Sequence, residues 1–211
     1  MSAKRLVNYF SAVIMLVGIA VMIGWIFDIG VLKSILPNWV AMKFTTAICF
    51  VFSGVTIQAI ARYRETKSSI AQIILMVSTL ILLLIMGSFL ISAFTGARLG
   101  VEELFLKETE GAVKTVLPGR PSIPTMINFV LIALAGVIAL LNSPESKLRL
   151  MQLGWIIAFI GAIAVIGYAI NLPLLYYYVE GWNTAIAAHT ALLFVIIGIC
   201  LILIGSNKHA S

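Results

Sequence analysis

The sequence predicts an all-α integral membrane protein: six transmembrane helices, paired as three repeated hairpins, with both termini on the cytoplasmic side. Three observations carry that expectation. Hydrophobic residues fill 62% of the 211 positions and charged residues 10%, which leaves too little polar surface for a water-soluble domain. Six apolar stretches reach the roughly 20 residues needed to cross the hydrocarbon core. A pattern of Thr, Phe and a small residue at i, i+4 and i+8 recurs in every second stretch: Thr46, Phe50, Gly54; Thr125, Phe129, Ala133; Thr190, Phe194, Gly198. That spacing sets the three side chains along one stripe of a helix, so the second, fourth and sixth helices are expected to meet at a common centre.

The first stretch, Leu6 to Ile29, follows Lys4 and Arg5 as a signal peptide would. It runs on to Trp25 and Asp28 without a small-residue cleavage site, so it reads as a retained helix. The second, Trp39 to Ala61, and the third, Ile70 to Phe94, are joined by the short polar connector Arg62 to Ser69. The fourth, fifth and sixth run from Ile123 to Leu141, Leu150 to Ile170 and Thr184 to Gly205, and the whole of residues 1–211 forms one domain. The outer hairpins repeat closely: Gly24-Trp25 with Asp28 matches Gly167-Tyr168 with Asn171 at an offset of 143, and Thr46 matches Thr190 at 144. The middle hairpin carries an extracellular insertion, Gly96 to Pro121. Its Val101, Leu104 and Phe105 beside several Glu suit either a short amphipathic element on the membrane surface or a β-hairpin turning at Glu110-Gly111.

The net charge of +6 is a topology signal. Lys4, Arg5, Arg62, Arg64, Lys67, Lys147, Arg149 and Lys208 fall on one face, while the basic residues of the other face are fewer, lie largely in the long insertion and are mixed with Glu. The positive-inside rule then places both termini in the cytoplasm of a multi-pass cell-membrane protein. The basic residues form no dense patch, so the partner is the lipid bilayer and not nucleic acid. Cys49 and Cys200 lie within spans and show no CxxC spacing, which points to packing and away from a sulfur metal site.

Polar groups inside a span are costly, about 2.5 to 3.5 kcal/mol for a charge at a helix centre, and so become candidates for function. Here they share the outer side: Asp28 ends the first span, Lys43 lies one turn into the second, Asn128 one turn into the fourth, Asn171 ends the fifth, and His189 lies a turn and a half into the sixth, about 8 Å below its outer end. With Trp25 and Tyr176 near its mouth, these residues would line one outward-facing ligand cavity. Other roles are open to each. Asp28 and Lys43 can pair with one another or snorkel to headgroups, His189 can bond a neighbouring carbonyl or hydroxyl as a neutral imidazole, and the aromatic residues can form the interfacial belt.

His189 is the one histidine in a span, which excludes bis-histidine haem within a single subunit but leaves haem bound by His189 alone or with a Met such as Met42 or Met126. The usual three ligands of a hydrolytic metal site and a Ser-His-Asp set are both missing, so no catalytic residue is assigned. Thr46, Thr125 and Thr190 are placed to bond across helices, and Gly54, Ala133 and Gly198 to permit close backbone approach.

Several separated segments resemble one family: Asp28-Ile29 with Leu32-Lys33-Ser34 and Leu36-Pro37; Met42-Lys43 with Thr46-Ala47 and Phe50; Pro118-Gly119-Arg120 with Thr125 and Asn128-Phe129; and Thr184-Ala185 with His189-Thr190-Ala191-Leu192 and Phe194. They look like the amino-terminal six-helix membrane sensor region of bacterial and archaeal PAS-containing sensor histidine kinases and diguanylate cyclases. The resemblance implies an input module that detects a signal in or outside the membrane. The 211 residues hold no PAS, kinase or cyclase module, so those activities are not implied.

The expectation is a non-enzymatic, receptor-like membrane protein that binds a small ligand or cofactor in an outer cavity and acts through a cytoplasmic signalling partner or a homo-oligomer. The alternatives are a haem protein for redox or gas binding with His189 as axial ligand, an accessory subunit of a membrane complex, and a small transporter. The last is weakened by the lack of a Gly/Pro-broken helix pair at mid-membrane.

Overall fold

In a computed structural model of the chain, residues 2–96 and 113–206 are described. Six helices are long and apolar enough to cross a membrane: α1 (Ala3–Ile26), α3 (Phe44–Thr66), α4 (Ser69–Thr95), α5 (Ile123–Leu141), α6 (Ser146–Ala169) and α7 (Ala188–Ser206). A single-turn helix α2 (Gly30–Lys33) follows α1, and a 3-10 turn at Pro173–Tyr176 follows α6 at the equivalent place. The insertion element expected around Val101 to Gly111 lies outside the described residues.

Local chemistry sets the helix ends. Ser2 and Ser122 cap α1 and α5, their hydroxyls accepting from the backbone N–H of Arg5 and Thr125, and Pro124 in the first turn of α5 gives up an N–H that has no partner there in any case. Gly96 stops α4 and Asn142 stops α5, both in the left-handed conformation at φ 68° and 47°.

The long helices pair as three antiparallel hairpins, α1 with α3, α4 with α5 and α6 with α7. The hairpins close into a ring, because α3 also packs on α4, α5 on α6, and α7 on α1. This is the threefold repeat that the Thr/Phe/small pattern predicts. In the most apolar stretch of α3, α5 and α7, 61%, 50% and 67% of the residues are buried, against 28%, 33% and 39% in α1, α4 and α6. The first set is therefore the inner core, and the second turns side chains such as Ile73, Leu84, Trp155 and Phe159 outward, as lipid contact requires.

Phe50, Phe129 and Phe194 are fully buried and meet as a triangle at the centre, with ring centroids 4.9, 5.1 and 5.1 Å apart. Tilted and edge-to-face contacts of this kind suit the aromatic quadrupole. Glycines bring each outer hairpin together. A Cβ on Gly198 would stand 2.5 Å from the Gly154 carbonyl oxygen, and one on Gly54 2.8 Å from that of Ser11, so in both hairpins the helix backbones touch. One threonine of the repeat behaves differently from expectation. Thr125 bonds within its own turn, to Ser122 (2.7 Å), and the hydroxyl pair that links two helices is Thr56 with Ser78 of α4 (2.9 Å).

Three helix starts also differ from the apolar stretches by a full turn or more. The second long helix begins at Phe44 and not at Trp39, so Lys43 is its N-cap instead of a residue one turn inside. The sixth begins at Ala188 and not at Thr184, which leaves His189 in its first turn. The fifth begins earlier than expected, at Ser146. The cause in the first two cases is a short buried run of extended chain whose backbone bonds elsewhere: Met42 N–H donates to Lys33 O (2.9 Å) and Ile186 N–H to Tyr176 O (3.0 Å). Hydropathy cannot distinguish such a run from a helix, since both are apolar.

Candidate functional site at the loop end

The end of the bundle opposite the termini gathers the entries of α3, α5 and α7 with the residues singled out by polarity. Trp25, the last-turn aromatic of α1, donates through Nε1 to Met42 O (2.7 Å). Tyr168 of α6 does the same with Ile186 O (2.7 Å). The two bonds are repeat equivalents, and each clamps an extended entry run to the outer helix of its own hairpin.

Asp28 and Asn171 sit just beyond α1 and α6 in left-handed turns at φ 55° and 54°. Short polar side chains tolerate that conformation best among non-glycine residues. Both side chains are exposed. Asp28 accepts from Lys33 Nζ (2.6 Å), and this bond and charge hold its carboxyl below the ordinary carboxylate range. Lys33 in turn lies 4.9 Å over the Trp25 ring. The partner of Asp28 is therefore Lys33. Lys43, the other candidate, is 4% exposed and donates to Thr115 Oγ1 (2.8 Å).

Tyr176 is buried and stacks on Tyr168 at 4.3 Å and 17°. Trp39 of the first hairpin packs against Tyr168, 4.7 Å away and tilted by 45°. Lys114 donates to the Tyr176 hydroxyl and lies 4.7 Å from its ring centroid. Tyr177, next in the chain, donates to Ile160 O (3.1 Å), and burial raises its phenol above the usual value.

Residues 113–122 strap these parts together. Thr115 meets Lys43 of the first hairpin, while Val116 N–H donates to Thr184 Oγ1 (3.1 Å) and Ile123 N–H to Asn183 Oδ1 (3.1 Å) of the third. Ala185 N–H closes the set on Lys114 O (3.2 Å). Among the described residues the polar side chains fall into two groups: Asp28 and Asn171 are exposed, while Lys43 and Asn128 are buried beneath this end.

Among the described residues, three polar side chains in this layer carry buried atoms without a hydrogen-bond partner: Thr45, Asn128 and His189. Asn128 is 0% exposed, and neither its Oδ1 nor its Nδ2 makes a hydrogen bond. Both ring nitrogens of half-buried His189 are likewise buried without one. Such groups are rare, and each costs about 1–3 kcal/mol. Met42 and Met126, the thioethers considered with His189, are packed into the apolar core. Among the described residues no cluster of three or more His, Cys, Asp or Glu could hold a metal ion.

Sequence reasoning placed Tyr176 at this end but missed its stack on Tyr168, and it missed the contacts that Lys33, Lys114 and Thr115 make here. The repeat carried a signal for the first of these, since Tyr168 falls at the place of Trp25. No family model, curated protein or solved structure matches the chain.

Proposed function

We propose that the chain is a non-enzymatic, receptor-like membrane protein whose small polar ligand is held at the loop end, with Asn128 and His189 as recognition groups. The observation that supports this reading is the Asn128 amide, fully buried with donor and acceptor both unmet. In a bilayer no bulk water is at hand to satisfy such a group, so a bound molecule with a complementary donor and acceptor is a natural partner. The strap of residues 113–122 is the element that opens for the ligand. It touches the first and third hairpins at once, so its displacement changes how they are held. With both termini in the cytoplasm, a signalling partner or a second copy would read that change.

The test is Asn128→Leu, which keeps the branched outline of the side chain at a larger volume and removes the unmet groups. It raises the unfolding midpoint of the empty protein in detergent and abolishes the response to any polar compound that stabilises the wild type in a thermal-shift screen. A lowered midpoint in both Asn128→Leu and the smaller Asn128→Val, which brings less overpacking, means that the fold itself satisfies the amide, and the reading falls.

The free ring nitrogens of His189 favour a second reading, haem ligation. A Soret band in protein purified from haem-replete cells, lost in His189→Ala, supports it. A colourless preparation removes it.

A further inference from the structure

At the opposite end of the bundle, the first turns of α1 and the last turns of α3 and α7 part to leave a cleft of about 640 Å³. This is within the usual size of a small-molecule site, roughly 300–1,000 Å³. Its polar lining includes Lys4, Asn8, Gln58, Arg62, Arg64 and Glu65, against an apolar wall that includes Val7 and Leu203. Charge in the cleft does not balance. Among the described residues, Glu65 is the one carboxylate of the cleft and is taken by Lys4 at 2.8 Å, and neither Arg62 nor Arg64 makes an ion pair. Nη1 of Arg64 is buried and has no acceptor among the described residues. A guanidinium carries five donors in a fixed plane and no acceptor, so its demand can be met only by oxygen atoms from another group.

We infer that this cleft is a binding site for a phosphate-bearing ligand, with the phosphate on Arg62 and Arg64 and the polar remainder of the molecule against Asn8 and Gln58. A planar fork of donors matches phosphate oxygens in pairs. The positive-inside bias accounts for basic residues at this end, but not for two unpaired arginines on one cleft or for a guanidinium nitrogen buried without an acceptor. The depth also fits. Arg64 lies in the last turn of α3 and Arg62 just before it, at headgroup level, and Gln58 lies about 12 Å in from the end of that helix, so the site runs inward from the phosphate plane. The phosphate can belong to an anionic lipid of that leaflet or to a soluble organic phosphate. The inference is independent of the loop-end site.

The whole chain is tested for thermal stabilisation with three probes: nanodiscs of phosphatidylglycerol against phosphatidylcholine, soluble glycerol phosphate, and inorganic phosphate. Stabilisation by phosphatidylglycerol alone identifies a lipid site, and stabilisation by the soluble probes a site for a free phosphate. In either case Arg64→Gln weakens binding by about tenfold or more. Arg62→Gln, at an exposed position, does the same should the first variant fold poorly, while Arg149→Gln, whose guanidinium already pairs with Glu145, binds as the wild type. No stabilisation by any probe, or equal stabilisation of the wild type and both cleft variants, overturns the inference.

Discussion

Replacing Gly198 by Ala tests whether backbone contact holds the third hairpin together. The new Cβ would lie 2.5 Å from the Gly154 carbonyl oxygen and 2.6 Å from the Ala158 Cβ, where ordinary contact begins at 3.4 Å. The obstruction on one side is a main-chain oxygen, so no rotamer change relieves it and α6 must move away from α7 by about 1 Å, at an overpacking cost of about 1–3 kcal/mol. For a chain of this size each kcal/mol moves the midpoint by about 2–4 °C, so a fall of about 2–12 °C is expected. Gly87→Ala is the control. Nothing lies within 4 Å of a Cβ there, and removing a helix-interior glycine is worth about 0.5–1 kcal/mol in the opposite direction. Cys49 and Cys200 are free and buried, so a thiol-reactive fluorophore reports unfolding in mild detergent. A Gly198→Ala midpoint equal to or above that of Gly87→Ala would refute the close-contact argument.

Two further predictions concern the core and the loop end. Phe129→Ala opens the central triangle and is expected to cost about 3 kcal/mol, the low end for such a truncation because the unfolded side chain in a bilayer is not exposed to water; Phe50→Ala and Phe194→Ala should match it, while lipid-facing Phe159→Ala stays near neutral, and sharply unequal costs within the triangle would argue against a shared centre. Tyr177 has its phenol pKa raised by burial, so its contribution is complete below the unfolded value of about 10 and is lost as pH rises through the higher folded value. Midpoints followed from about pH 9 to about pH 11 should therefore fall more steeply for the wild type than for Tyr177→Phe, and parallel curves would show that the phenol is not desolvated.

The sequence alone determined the class and the plan of the molecule. Length, apolar content and six uninterrupted stretches leave helices as the way to satisfy the backbone in lipid. The Thr/Phe/small stripe, repeated in alternate helices, named the inner three helices and the residues at their centre, because a helical period is a local property that survives into the fold. The site was less legible. Asp28, Lys43, Asn128, Asn171 and His189 share a depth that the sequence reveals, but depth does not say which way a side chain turns or what covers it. Tertiary structure decided that Asp28 pairs with Lys33, that Thr115 reaches Lys43 from 72 positions away, and that Asn128 is enclosed without a partner. It also opened the basic cleft at the other end, where Lys4, Arg62 and Arg64 would otherwise read as topology signals. Hydropathy and period fix how each segment meets lipid, and only the closing of three hairpins into a ring brings distant segments within hydrogen-bonding reach.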